Sequence, residues 1–144
     1  MLRLEVAGLL RGDGVMLAAL PGGIYPETDQ QASVLSQQAY PEAFNAIDEV
    51  LPTLLVQDDG MFPLPITRGT VSDTFRLLVW QQRGRDAIDG ALARAFALLN
   101  GARVNAGAAW VYEIQFAGEG PNIRDQALGD AELGWSRWQA VVLR

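Results

Sequence analysis

The chain contains no cysteine and no histidine. Without cysteine there is no disulfide framework, no thiolate nucleophile and no cysteine zinc site. Without histidine the usual general base and the usual metal ligand are gone, and with them every Ser-His or Cys-His arrangement. An enzyme built from this sequence would have to work with carboxylates alone, and the composition argues against one. Lysine is missing too: all 11 basic residues are arginine. A GC-rich coding bias accounts for that more simply than selection for arginine's planar fork. Positive charge is scarce overall, with 17 carboxylates, a net charge of −6 and a sequence pI near 4.5. Such a surface repels phosphate, so tight binding of DNA or RNA is not expected. No apolar run approaches the ~20 residues of a membrane span. The opening MLRLEVAGLLRGDG carries Glu5 and lacks a long apolar core and a small-residue cleavage site, so it does not read as a signal peptide.

What is present is apolar: 49% of 144 residues. That is enough for a sizeable core in one domain, taken as residues 1–144. The organising stretch is Thr70 to Gly101. Val71, Phe75, Leu77 and Val79 share one parity of a strand, and Arg76, Leu78 and Trp80 share the other. A helix follows, with Ile88, Leu92, Ala95, Phe96 and Leu99 forming one apolar stripe. Asp86 and Asp89 stand in its first turn, where the helix dipole favours carboxylates, and Gly101 is placed as its cap.

Leu2, Val6, Leu9 and Leu10 have helical spacing. That helix is interrupted at Gly12-Asp13-Gly14, where Asp13 can cap a continuation through Val15, Met16, Leu17 and Leu20. Ile24-Tyr25-Pro26 is a short extended piece, and residues 27–39 read as a long surface loop. Pro41 opens a short helix with Phe44, Ile47 and Val50 on its buried side. Leu51–Gln57 is a strand, Asp58-Asp59-Gly60 a turn, and Met61–Pro65 too proline-rich for a central strand. Trp110, Tyr112, Ile114 and Phe116 alternate with polar neighbours in the clearest strand of the chain. Residues 122–133 read as polar and irregular, and 134–144 as a last strand with Trp138, Ala140 and Val142 on one face. The fold expected from this order is α+β: an antiparallel sheet of about four strands with helices packed on one face.

Chemistry-bearing clusters are thin. Asp58-Asp59 and the pair Asp125, Asp130 lie in glycine-rich stretches where aspartate serves turns, and no base or metal spacing accompanies them. Gly12-Asp13-Gly14 and Gly118-Glu119-Gly120 lack the pattern of a phosphate loop. Trp80, Trp110, Trp135 and Trp138 could stack bases, but with so little positive charge they read as core or subunit packing. No catalytic, cofactor or metal residue is assigned. A carboxylate-dependent hydrolase using Asp58, Asp59 or Asp125, and a small-molecule binding module, are the competing classes.

In order and character the sequence resembles a known family. The N-terminal helix leads to GGIYPE, LPTLLVQDDG follows, then TFRLLVWQQRGRDAIDGALARAFALLNG, and the chain closes on RDQALGDAELGWSRWQAVVLR. This pattern resembles the tail-terminator, or tail-completion, proteins of long-tailed bacteriophages and phage-like particles. The resemblance implies a minor tail protein of the virion, assembled in the host cytoplasm as a homo-oligomeric ring, typically a hexamer. Such a ring caps the head-proximal end of the tail tube and stops its polymerisation. It contacts the tail tube protein and a head-side connector, and DNA passes through its lumen without specific binding. The role needs no cofactor, no active site and no membrane. A head-closure or neck connector subunit is the nearest alternative. For the ring contacts, Arg76, Arg83, Arg85, Arg124 and Arg137 are the candidates, because they lie at turns or on the strand face opposite the helix and arginine pairs well with carboxylates at interfaces.

Overall fold

A computed structural model describes residues 2–27, 35–63, 71–105 and 111–143. Two short helices, α1 (Arg3–Arg11) and α2 (Gly14–Ala19), lead to strand β1 (Gly23–Pro26) and a 3-10 turn at Pro41–Ala43. Strands β2 (Thr53–Pro63) and β3 (Val71–Gln81) precede helix α3 (Asp86–Leu99). The chain then forms β4 (Arg103–Asn105), β5 (Val111–Glu119), β6 (Ile123–Asp125), a second 3-10 turn (Gln126–Leu128) and β7 (Ala131–Leu143).

The molecule is mostly β. Its strands form one curled, mixed, seven-stranded sheet in the order β1-β2-β3-β7-β5-β4, with β6 paired to the start of β7. This corrects the expected four-stranded antiparallel sheet with helices on one face. The expected long strands are present, and β2, β3, β7 and β5 pair antiparallel as neighbours. The additional strands β1, β4 and β6 have three or four residues each, too few for an alternating pattern to register. Strand β1 also pairs parallel to β2, from Gly23 opposite Thr53 to Pro26 opposite Val56.

Two further readings change. Asp58-Asp59-Gly60 is a bulge inside β2, where the register to β3 shifts between Asp58 and Gly60, and not a turn. Strand β2 accommodates Pro63 because β1 pairs only with Thr53–Val56, so beyond Val56 one side of β2 is an edge that needs no amide donor. Residues 122–133 are ordered by β6, whose Ile123, Arg124 and Asp125 pair with Leu133, Glu132 and Ala131. The loop 27–39, Pro63–Pro65 and Trp110 fall wholly or partly outside the described residues.

Both faces of the sheet are covered. Strand alternation sends consecutive residues to opposite sides, so Leu54 enters one core and Leu55 the other. On the first face α1, α2 and α3 bury Val6, Leu10, Met16, Ile88, Ala95 and Leu99 against Leu54, Phe75, Leu77 and Trp138. Trp138 stacks on Phe75 with ring centroids 6.3 Å apart. On the second face Leu55, Leu78, Trp80 and Leu133 are covered by Leu35, Tyr40, Ala43 and Val50 from the segment before β2. A one-sided helical layer therefore describes only half of the packing.

Helix α3 starts where expected, but its N-terminal amides are met by Gln81 at the end of β3. The Gln81 side-chain oxygen accepts from Ala87 N at 2.9 Å, and its amide donates to Asp86 Oδ1 at 2.6 Å. The helix lies so close to β7 that a Cβ at Gly134 would come within 2.5 Å of Ile88 Cγ2. The buried stripe is Ile88, Ala91, Ala95 and Leu99, rotated from the expected one. Phe96 is 44% exposed and rests edge-on against Phe116, 5.2 Å away. Ile47, expected inside, is exposed as well.

Candidate functional site

The five arginines picked from the sequence lie in three places, and each already holds a carboxylate of its own chain. Arg76 on β3 stands opposite Gln57 on β2 and Arg137 on β7. Two guanidiniums directly across a ladder repel each other. The β2 bulge places Asp59 to receive both: its Oδ1 lies 3.7 Å from Arg76 Nε and its Oδ2 lies 3.3 Å from Arg137 Nε. Both guanidiniums also stand over the Trp135 ring, each 5.9 Å from its centroid. Arg76 Nη2 donates to Gln57 Oε1 at 2.5 Å.

Arg85 and Arg124 converge on Glu132 at the start of β7, at 3.3 Å and 3.4 Å. Arg85 also reaches Asp89 at 3.7 Å and donates to Asn122 Oδ1. Arg83 pairs with Glu49 at 2.5 Å. Of the five, Arg83 and Arg124 keep most of their surface in water, at 77% and 69% exposure.

Sequence reasoning missed Arg11 and Arg103. Among the described arginines these are the two with no carboxylate within ion-pair distance. Arg11 instead donates from Nε to the Ile24 carbonyl at 2.7 Å and stands 6.0 Å from the centre of the Tyr25 ring. Nothing local marks it, because which arginines find a carboxylate depends on long-range register.

The carboxylates singled out as a possible site do not converge. Asp58 accepts from Arg3 at 2.5 Å, and Asp59 holds the arginine pair. Asp125 accepts from Trp80 Nε1 and caps the second 3-10 turn through Ala127 N, each at 3.1 Å. Among the described residues no three acidic side chains are grouped to hold a metal ion. Burial raises the Asp73 and Glu27 carboxyls above their ordinary values. Asp73 is buried where β3 meets the chain start, accepting from Leu2 N at 3.2 Å. Trp80 and Trp135 sit on the second face and Trp138 on the first, so these three form no common stacking platform.

The outer surface of the helical layer is the feature that the charges leave over. Leu4 and Val15 are 64% and 57% exposed, and Leu9 and Leu17 are close behind. Beside α3 a groove of about 440 Å³ is lined by Leu92, Ala93, Phe96, Phe116 and the buried Ser136, together with the exposed Asp89 and Glu119. No helix among the described residues is long and apolar enough to cross a membrane.

No family model matches the chain, and no curated protein matches it in sequence. Solved structures do match in shape. One is a chain from "Virion of native gene transfer agent (GTA) particle", with a TM-score of 0.61 at 15% identity, covering 95% of this chain and 90% of that one. The seven-stranded sheet with its helical layer is therefore a fold also found in a protein of a gene transfer agent virion.

Proposed function

We propose that this chain is a structural protein of a phage-like virion, and within the virion a tail terminator. One observation carries the reading: the fold likeness to a gene transfer agent virion protein spans nearly the whole of both chains. The sequence resemblance supports it independently, since it rests on the order of helix, strand and closing aromatic strand. In this role copies of the chain form a ring, hexameric by family habit, on the head-proximal tip of the tail tube. The ring stops tube growth and meets the head-side connector. Its surplus of 17 carboxylates over 11 arginines suits a lumen through which DNA slides without sticking. The role asks nothing of reactive side chains. Arg76, Arg83, Arg85, Arg124 and Arg137 remain candidates for ring contacts, with the difference that each must share or give up an intrachain carboxylate.

The test is electron microscopy of particles from a strain lacking the gene. Overlong or headless tails support the terminator role. Filled heads that leak DNA instead indicate head closure and overturn it. If folded Asp58→Asn, Asp59→Asn or Asp125→Asn variants abolish a turnover carried by the wild type, the structural reading fails in favour of a hydrolase.

A further inference from the structure

The outer helical surface is mostly apolar, with its exposed charges at the margins, Arg11 ending α1 and Asp86 and Asp89 starting α3, and a part-exposed Arg94 held by Asp13. Surface helices ordinarily turn more charge to water. On α1, Leu4, Gly8 and Arg11 are spaced i, i+4, i+7 and form one outward stripe. Val15, Leu17 and Ala18 continue the exposed apolar surface onto α2. On α3 the outward residues include Gly90, Ala93, Phe96 and Ala97. Two of these residues work against the subunit's own stability. Gly8 and Gly90 lie inside helices, where glycine is the poorest former after proline, and a Cβ at either would meet nothing within 4 Å. Within the chain, then, neither position requires glycine. A close approach from outside gives glycine a reason.

Two non-equivalent surfaces result. The α1–α2 surface lies over the β1–β2 half of the sheet, and the groove beside α3 lies over the β7–β5 half. The first is apolar and small, and it carries Arg11, a cation with no ion pair among the described residues. The second is an apolar channel rimmed by Asp89 and Glu119. Glu119 is exposed and has no ion pair among the described residues. Opposite charge at the margins of two apolar surfaces is the pattern of a specific contact, with steering at the rim and burial at the centre.

We infer that a second copy of this chain seats its α1–α2 surface, with Gly8 at the point of closest approach, in the groove beside α3, so that Arg11 of one copy meets Glu119 of the next. The two surfaces differ but lie on the same side of the sheet, so the contact joins unlike positions whether two copies make it reciprocally or each copy passes it on to the next. The inference rests on the proposed virion role only for its biological setting. The contact itself is a property of the chain.

The absence of cysteine makes a direct test possible. A chain carrying Gly8→Cys together with Ala93→Cys has no other thiol. On mild oxidation it should give covalent oligomers, a dimer where the contact is reciprocal and a ladder where it is one-way, in solution or on tube tips. Each single variant should give none, because the contact pairs position 8 of one copy with position 93 of the other. Disulfide dimers from Gly8→Cys alone would show that α1 meets α1 and overturn the inference, as would a double variant that stays unlinked in both settings. Charge reversal supplies an independent reading. Arg11→Glu and Glu119→Arg should each weaken self-association about tenfold or more in sedimentation, and combining them should recover most of the loss. Gly8→Ala should raise the melting temperature of the dilute subunit while weakening assembly. A stabilised subunit that assembles as before would remove Gly8 from the contact. Cross-linking of the double variant without any tail defect in the gene-deleted strain would keep the contact and remove the tail role. A tail defect with no cross-linking would do the reverse.

Discussion

The two faces of the sheet are filled by different means. The first is helical and mostly apolar: Trp138 and Phe75 are fully buried beneath the helical layer, and its ion pairs lie among the helices and at the edge of β2. The second is half apolar and half ionic. Leu55, Leu78 and Trp80 are sealed under an irregular segment, while one ladder row away Gln57, Arg76 and Arg137 stand beside Trp135 and Asp59. The same strands serve both faces, so the difference lies in what covers them. A helix brings a continuous apolar stripe and satisfies its own backbone. A loop brings single side chains, and the strip it leaves bare must be finished with charges that neutralise one another.

Two tryptophans of β7 measure that contrast most sharply. Trp138→Ala should cost about 3–5 kcal/mol, the range for deleting a large aromatic from a packed core. Trp135 is only partly buried: it packs at the edge of the second core and backs two guanidiniums, the latter contacts worth about 0.5–1 kcal/mol each at exposed sites. Trp135→Ala should therefore cost less. Urea unfolding of both variants decides the matter, and equal losses would mean that the second face is as much a core as the first.

The same contrast explains which parts of the structure could be read from the sequence. Phe75, Leu77 and Val79 against Leu78 and Trp80, and Trp138, Ala140 and Val142 against Trp135 and Arg137, are sorted correctly by parity, because long strands repeat the signal. Asp13 is legible as a helix cap for the same local reason, and it accepts from Met16 N at 3.0 Å. Ile24-Tyr25-Pro26 is legible as an extended piece, but its parallel pairing as β1 is not, and neither are the short strands β4 and β6, because three or four residues carry no period and their pairing is decided by distant partners. The Asp58–Gly60 bulge looks like a turn, since aspartate and glycine suit both. Phe96 is misplaced because Ala91 and Ala95, small residues with weak apolar signal, are the ones that let α3 sit close to the sheet. The arginines were found by type and position, but their partners Asp59, Glu132 and Glu49 come from other strands and loops.

A smaller effect is expected at Asp59, which holds the ionic strip together. Asp59→Asn leaves Arg76 and Arg137 opposite each other without a counter-charge. The pairs are part-exposed, so the cost should be about 1 kcal/mol. Arg137→Gln in the Asp59→Asn background should recover part of it by removing the repulsion. A double-mutant cycle with no coupling would show that the two guanidiniums are separated by solvent rather than by Asp59.

The smallest effect, and the most specific in form, concerns Asp13, which ties the helices of the first face to one another. Its carboxylate caps α2 and receives Arg94 of α3 twice, at 3.0 Å and 2.8 Å. The Arg94 hydrogen bond, with help from the Met16 amide, holds the Asp13 carboxyl below its ordinary value of 3.8. A carboxyl lowered in the folded state stabilises fully above that ordinary value and loses its contribution as pH falls through the folded one. Asp13→Asn keeps an oxygen to cap α2 and removes only the charge. Its melting temperature should therefore lie below the wild type at neutral pH and converge with it in acid. Asp73 has the opposite sign: burial raises its carboxyl, so it favours the folded state least once ionised, and its contribution declines as pH rises above the ordinary value. Subtracting the Asp13→Asn profile from the wild type cancels the Asp73 term, which is common to both. What remains should fall towards acid. A difference that stays constant with pH would mean that Asp13 acts through the cap alone and that the Arg94 pair adds nothing.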